Sequence, residues 1–373
     1  MLLECARLHS HPQELSAVFH HRLDWSRLYV LAEENGLLAT LSSAVGQTDE
    51  GLIPVDARQK LKEFHRAQLI FSLQLTSELF RLLERFAAAH VEMVVIKGPA
   101  LSVRCYGDPA LRQYTDLDLV VRTKDIQRST EIMLQLGYEA RIPLRAITNG
   151  KIPGEYVFRR PDTRLLVEFH TEHTFRYHPR RLPLERVLAR KTWVSVDHRQ
   201  VPALSIEDEL VLICIHAAKH LWERLAWVAD VAALVANNPR LSWNKAISAA
   251  EEVGAERMLR VGLGLAATML ALPLSREIEA YVTSDSIAVR LVERIATNLT
   301  QGRPASGGIL RRAALRFRMR GGFLLGLSYL LRLSLSTTED DWSAEPGSNR
   351  PWLFDAIRRT FRLARKYQRS VEE

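Results

Sequence analysis

The chain has 373 residues, 47% of them hydrophobic and 25% charged, with a formal net charge of +8. That is long and apolar enough for two or three packed units, and it excludes a disordered or low-complexity chain. Three cysteines, Cys5, Cys105 and Cys214, are odd in number and far apart, so they indicate neither a disulfide framework nor a zinc knuckle and fit a reducing cytoplasm.

Residues 1–90 read as helices, because apolar positions recur three and four apart and strand-like alternation is missing. The opening MLLECARLHSHPQEL is interrupted by Glu4, Arg7 and two histidines, so no signal peptide is expected. The clearest helix runs from Leu61 to His90, with Leu69, Phe71, Leu73, Leu75, Leu79, Phe80, Leu83 and Phe86 expected to pack. VEMVVIK then reads as an apolar strand that stops at Lys97-Gly98, followed by a short helix from about Pro99 to Tyr106. Gly98 lets the backbone approach a ligand closely, Pro99 suits a first helical turn, and the helix N-terminus behind them favours an anion. Lys97 adds a mobile positive charge.

In the next strand, DLDLVV, side chains alternate faces, so Asp116 and Asp118 point the same way. Leu117, Leu119, Val120 and Val121 make this strand largely buried, where two adjacent carboxylates are costly unless a cation lies between them. Oxygen-only donors suit Mg²⁺ or Mn²⁺ rather than zinc, and phosphoryl transfer is the chemistry that most often asks for such a pair.

Thr123 is the expected N-cap of a helix over 124–135, stopped by Gly137, and Tyr138 begins another strand. GEYVFRRP and TRLLVEFHTEH read as a hairpin turning at Pro161-Asp162, with Leu166, Glu168 and His170 on one face of its second strand. From Pro202 the pattern is helical. Ser205 with Asp208 resembles a loose capping box opening a helix over EDELVLICIHAAKHLWERL. His216 and His220 share a helix face at the spacing of zinc pairs, but no Glu intervenes and Lys219 opposes a cation, so polar residues lining a cleft fit better. Two more helices follow between Leu241 and Leu272, and Gly262 and Gly264 match no dinucleotide pattern. Arg311, Arg312, Arg316, Arg318 and Arg320 offer a face to RNA phosphates or anionic lipid, although interleaved Leu, Phe and Met favour an amphipathic helix with a solvated basic side. The apolar run from Gly321 to Leu331 is too short for a bilayer, so no transmembrane segment and a soluble, cytoplasmic protein are expected.

The order Lys97, Gly98, Tyr106, Asp108-Pro109, Leu111-Arg112, Asp116, Asp118 and Leu119 resembles the polymerase-β-type nucleotidyltransferase superfamily, and most closely its bacterial family of uncharacterised nucleotidyltransferases. Pro99 departs from the Ser that usually follows the Gly, and Lys97 is expected to take over that contact. The resemblance runs from about Leu61 to Tyr367. It implies an α+β fold in three parts: N-terminal helices over 1–90, a small mixed-sheet nucleotidyltransferase core over 91–201, and a C-terminal helical domain over 202–373.

It also implies an enzyme that moves a nucleoside monophosphate from an NTP to a hydroxyl-bearing acceptor: a small molecule, a peptide or protein, or an RNA end. The alternative is a degenerate NTP-binding or nucleic-acid-binding module without turnover. On this likeness V-E-F-H makes Glu168 the third metal carboxylate beside Asp116 and Asp118, against an exposed polar strand residue. Lys97, Gly98, Arg112 and Lys219 fall on the nucleotide side, with internal pairing of Arg112 equally open. His170, His216, His220 and Trp222 fall on the acceptor side; for the last three a structural cluster is the alternative, and for His170 orienting a carboxylate, touching phosphate or capping the sheet stay open.

Overall fold

A computed structural model describes residues 1–7, 17–20, 23–143, 147, 155–171, 178, 180, 184–302 and 308–335. The end of the resemblance toward Tyr367, with the acidic STTEDDW and the basic RPWLFDAIRRTFRLARKY, lies outside the described residues.

Helices α1 (Leu2–Ala6), α2 (Trp25–Glu34) and α3 (Leu38–Gly46) precede the long α4 (Val55–Ala88). Helix α4 starts ahead of the expected Leu61: its first turns carry no apolar period, but Asp56 favours the N-terminal dipole and the buried Arg58 donates to Val45 O, Thr48 O and Asp49 O. Its two halves belong to different cores. Leu61 packs with Leu28, Ala32, Leu38 and Leu41, whereas Leu75, Leu79, Leu82 and Phe86 pack under the sheet. Leu69 and Leu73, expected to pack, are 40% and 53% exposed because they lie across the helix from that second stripe.

Among the described residues seven strands form one mixed sheet: β1 (Met93–Val95), β2 (Asp116–Val121), β3 (Glu139–Ala140), β4 (Glu155–Arg159), β5 (Leu166–His170), β6 (Thr192–Val196) and β7 (Arg199–Ala203), in the order β3-β4-β5-β2-β1-β7-β6. Strand β1 pairs antiparallel with β2 and parallel with β7, and β2 pairs parallel with β5. Helix α5 (Gly98–Tyr106) joins β1 to β2, with Gly107 closing it in the left-handed conformation at φ 74. Helix α6 (Ile126–Gln135) follows β2 after a short 3-10 turn over Thr123–Asp125, so Thr123 is not its cap. The β6–β7 hairpin was not expected. It reverses on Asp197 and His198 with φ of 46 and 62, the two positive angles of a tight hairpin turn, with no glycine to advertise it.

The sheet has two unlike faces. On the core face, Leu117, Leu119, Val121, Val167 and Phe169 pack with α4. On the cleft face, Val94, Ile96 and Val120 meet α7 (Leu184–Ala189) and Leu212 of α8 (Ile206–Lys219), which Ser205 caps by accepting from the Asp208 N–H.

Helix α8 stops at Lys219 rather than running on to Leu225, because Leu221 and Trp222 turn left-handed at φ 59 and 57. After that corner come α9 (Leu225–Ala236), α10 (Trp243–Val253), α11 (Glu256–Leu270), α12 (Arg276–Thr283), α13 (Ser286–Thr300), α14 (Gly308–Arg318) and α15 (Phe323–Leu335). The helical core includes Leu101 and Cys105, so α5 is enclosed between sheet and helices. A Cβ at Gly262 would lie 2.6 Å from Cys214 Sγ and 3.0 Å from the Trp222 ring, so this glycine serves close packing. Among the described residues no helix is long and apolar enough to cross a membrane.

Candidate active site

In the parallel β2–β5 pair Asp116 lies opposite Leu166, Asp118 opposite Glu168 and Val120 opposite His170. Because side chains alternate, Asp116, Asp118, Glu168 and His170 all project from the cleft face. Strand β4 adds Glu155 opposite His170. Asp118 is 2% exposed, and both its oxygens are engaged: His170 Nε2 is 2.8 Å from Oδ1 and Lys97 Nζ is 3.0 Å from Oδ2. Glu168 Oε2 stands 3.8 Å from the same His170 nitrogen.

Lys97 is delivered by the turn between β1 and α5. Gly98 has φ 59, and a Cβ there would meet Asp116 O only at an ordinary 3.7 Å. The left-handed backbone, not lack of space, therefore calls for glycine. Pro99 in the first turn forgoes an N–H the helix does not use, leaving the start of α5 beside the start of β2.

The electrostatics separate the three carboxylates. Burial would raise the Asp118 pKa, but Lys97 and His170 outweigh it and hold the carboxyl well below the usual carboxylate range. For Glu168, burial and then the charge of Asp118 push the pKa up to about 7. Asp116 is raised for the same two reasons. Burial opposes the charged form of Lys97, yet Asp118 and Asp116 keep its pKa above the ordinary lysine value. His170 is likewise raised, against burial, by its bond to Asp118.

The end of α8 lies across this face. Lys219 Nζ is 3.1 Å from Glu155 Oε1. Burial first, and the charges of Lys97 and Lys219 with it, push the pKa of His216 well down and that of His220 to about 4, so both rings are neutral at pH 7. His216 and His220 are 4.8 Å apart between ring centroids, and Trp227 of α9 joins them at 5.8 and 5.3 Å. Trp222 does not belong to this group. The left-handed corner after α8 turns it into the helical core at 0% exposure, where no acceptor can touch it. Arg112 is pinned to one side, its Nε donating to Asp230 Oδ2 at 2.8 Å while Tyr106 Oη donates to Asp230 Oδ1 at 3.0 Å.

Nothing local in the sequence marks Glu155 or Trp227 as a site residue. The alternation in EYVFR shows which residues share a face with Glu155, but not which strand lies next to it. Trp227 could be chosen over Trp222 only by knowing where α8 ends.

Charge and donor chemistry decide whether a cation fits. Donor atoms of Asp118, Glu168 and His170 lie within 4.8 Å of one another, with Asp116 two residues along the same strand face. Three carboxylates share one ammonium, and the imidazole Nδ1 of His170 is buried without a hydrogen-bond partner among the described residues. A site with this excess of carboxylate fits a divalent cation. The basic stretch further on offers less: Arg312 pairs with Glu223 at 2.8 Å, and Arg320 is buried, stacked 3.8 Å from the centroid of Tyr329.

The glycine turn, the enclosed helix and the carboxylate-bearing strand are accompanied by a family match over residues 21–271, to the model described as "Uncharacterised nucleotidyltransferase", and the chain belongs to that family. The match begins earlier and ends earlier than the expected Leu61 to Tyr367. Among solved structures the chain is similar to an antigenic nucleotidyltransferase-like protein from Paracoccidioides brasiliensis at 15% identity and a TM-score of 0.35, covering 58% of this chain and 92% of that one. No curated protein matches the chain.

Proposed function

We propose that the protein transfers a nucleoside monophosphate from an NTP to a hydroxyl-bearing acceptor. The observation that carries this reading is the registered pair Asp118 and Glu168, with Asp116 on the same face, opposite Lys97 and the start of α5. In this reading residues 91–201 are the catalytic unit, 202–373 cover the cleft, and 1–90 brace the sheet through α4.

Asp116, Asp118 and Glu168 would hold one or two Mg²⁺ or Mn²⁺ ions, which when bound supply charge neutralisation at the triphosphate and lower the pKa of an attacking hydroxyl. His170 orients Asp118 through Nε2. Lys97 exchanges its contact with Asp118 for a phosphate oxygen, and the first N–H groups of α5 donate to the same anion. Lys219, released from Glu155, adds a second ammonium. The neutral His216, His220 and Trp227 rings give the cleft an apolar, stackable wall.

The test is pyrophosphate release from α-labelled NTP against a panel of acceptors. Asp116→Asn should lower turnover at least ~100-fold, a loss of roughly 2.7 kcal/mol of transition-state stabilisation. Its melting temperature should stay level or rise, because a like-charge contact with Asp118 is relieved. Full activity in this variant would end the assignment.

A further inference from the structure

A pocket of about 260 Å³ adjoins the first residue of β2, walled by α2, α3 and α4, the segment before β2, and α9. Thr115, which lines it, is followed directly by Asp116, and Trp227 belongs to both the pocket and the ring cluster over the cleft. At ~30 Å³ per water the pocket has room for about nine waters, or for one small organic molecule.

The lining identifies the kind of molecule. Its four charged side chains cancel, Glu33 and Asp230 against Arg112 and Arg224, so neither an anion nor a cation is favoured by net charge. The hydrogen-bond inventory is mixed. Gln68 Nε2 donates to Arg112 O at 3.2 Å, leaving its Oε1 to accept. Gln113 Oε1 accepts from Leu38 N at 3.1 Å, leaving its NH₂ to donate. Thr40 Oγ1 donates to Leu37 O at 2.9 Å, keeping its lone pairs. The Arg112 guanidinium is hydrogen-bonded only through Nε among the described residues. Donors and acceptors offered side by side match hydroxyl groups, which do both. Phe71 and Trp227 add apolar faces for the C–H side of a ring.

We infer that this pocket holds the acceptor, and that the acceptor is an uncharged polyhydroxylated molecule of monosaccharide size. The inference rests on the transfer reading above. In the reaction an acceptor hydroxyl oxygen bonds to the α-phosphorus and the α–β anhydride bond breaks. Pyrophosphate leaves with that electron pair, and the hydroxyl proton passes to a cleft carboxylate and then to solvent. An RNA end would bring charge, and a protein side chain its attached bulk, that this neutral pocket of about 260 Å³ does not match.

The test is saturation-transfer NMR on the full chain with a mixture of neutral hexoses and inositols, beside separate titration with MgATP. Thr40→Phe and Ala226→Phe fill the pocket from two different helices, α3 and α9, and Thr40→Val keeps its volume. At least one polyol should bind the wild type, lose about tenfold or more in affinity in each filled variant, and lose less in Thr40→Val, while the MgATP Kd stays within about threefold. Absence of binding by every polyol would overturn the proposal. So would undiminished binding in a filled variant that is folded by circular dichroism, or labelling from NTP confined to RNA or protein. Polyol binding that follows the pocket variants in a chain unable to bind MgATP would instead overturn the transfer reading and leave the ligand class of the pocket standing.

Discussion

On the core face of the sheet Leu117, Leu119 and Val121 alternate with the residues of the cleft face, and each meets apolar partners from β5, β1 or α4. On the cleft face of the same strand only Val120 has such company, in a small cluster with Val94, Ile96 and Leu212; beyond it the surface passes to Asp118, Asp116 and Glu168. One parity of a six-residue strand carries cohesion, and the other carries charge that lacks enough countercharge. The difference teaches where stability and chemistry are separable: substitutions on one face should act on unfolding, and those on the other on ligands and pH.

The largest effect expected on stability is on the core face. Phe169 stacks edge-on against Phe86 at 5.7 Å and tilts against Phe158 at 4.9 Å. Phe169→Ala should therefore cost roughly 3–5 kcal/mol in urea unfolding. A loss below about 1 kcal/mol would mean that the two faces do not divide as described.

A smaller effect should come from Glu168 and should depend on pH. Its pKa in the fold, about 7, exceeds the ordinary value of 4.5, so the folded state binds the proton more tightly than the unfolded one. Stability from this group is present below about 4.5 and is lost as pH rises toward 7, by at most ~1.4 kcal/mol per pH unit. Glu168→Gln removes the titration, so its stability relative to wild type should grow across that window without divalent cation. Adding Mg²⁺, which favours the ionised carboxylate, should shrink the difference. A difference flat with pH would show that Glu168 ionises as freely as in solvent.

The smallest effect on stability is expected at Lys219, whose pair with Glu155 is partly solvated at 35% and 19% exposure. Lys219→Met should change stability by less than ~1 kcal/mol while weakening MgATP binding about tenfold. Calorimetry that found equal MgATP affinity would reduce this lysine to a strut between α8 and β4.

Local rules made part of this legible in the sequence. The shared face of Asp116 and Asp118 follows from the two-residue period of a strand, and the turn at Lys97-Gly98 from the one residue that tolerates φ 59 cheaply. Non-local facts stayed hidden. Lys219 with Glu155, and Arg112 with Asp230, meet across long separations that depend on how elements dock. The two unexpected breaks share one cause: Asp197-His198 and Leu221-Trp222 take left-handed conformations without glycine, held there by their surroundings rather than by local preference. Missing the second break is what placed Trp222 in the cleft instead of Trp227.

The position of β1 between β2 and β7 has a consequence for how the molecule is made. Its pairing with β2 is available early, but its other edge waits for Ala203, roughly a hundred residues after Val95. At a synthesis rate of ~5–20 residues per second that edge stands open for on the order of ten seconds on the ribosome, a template for stray strands. Long-range parallel pairing of this kind closes slowly. The strand that aims Lys97 at Asp118 therefore receives its last neighbour only after every carboxylate of the cleft has already been synthesised.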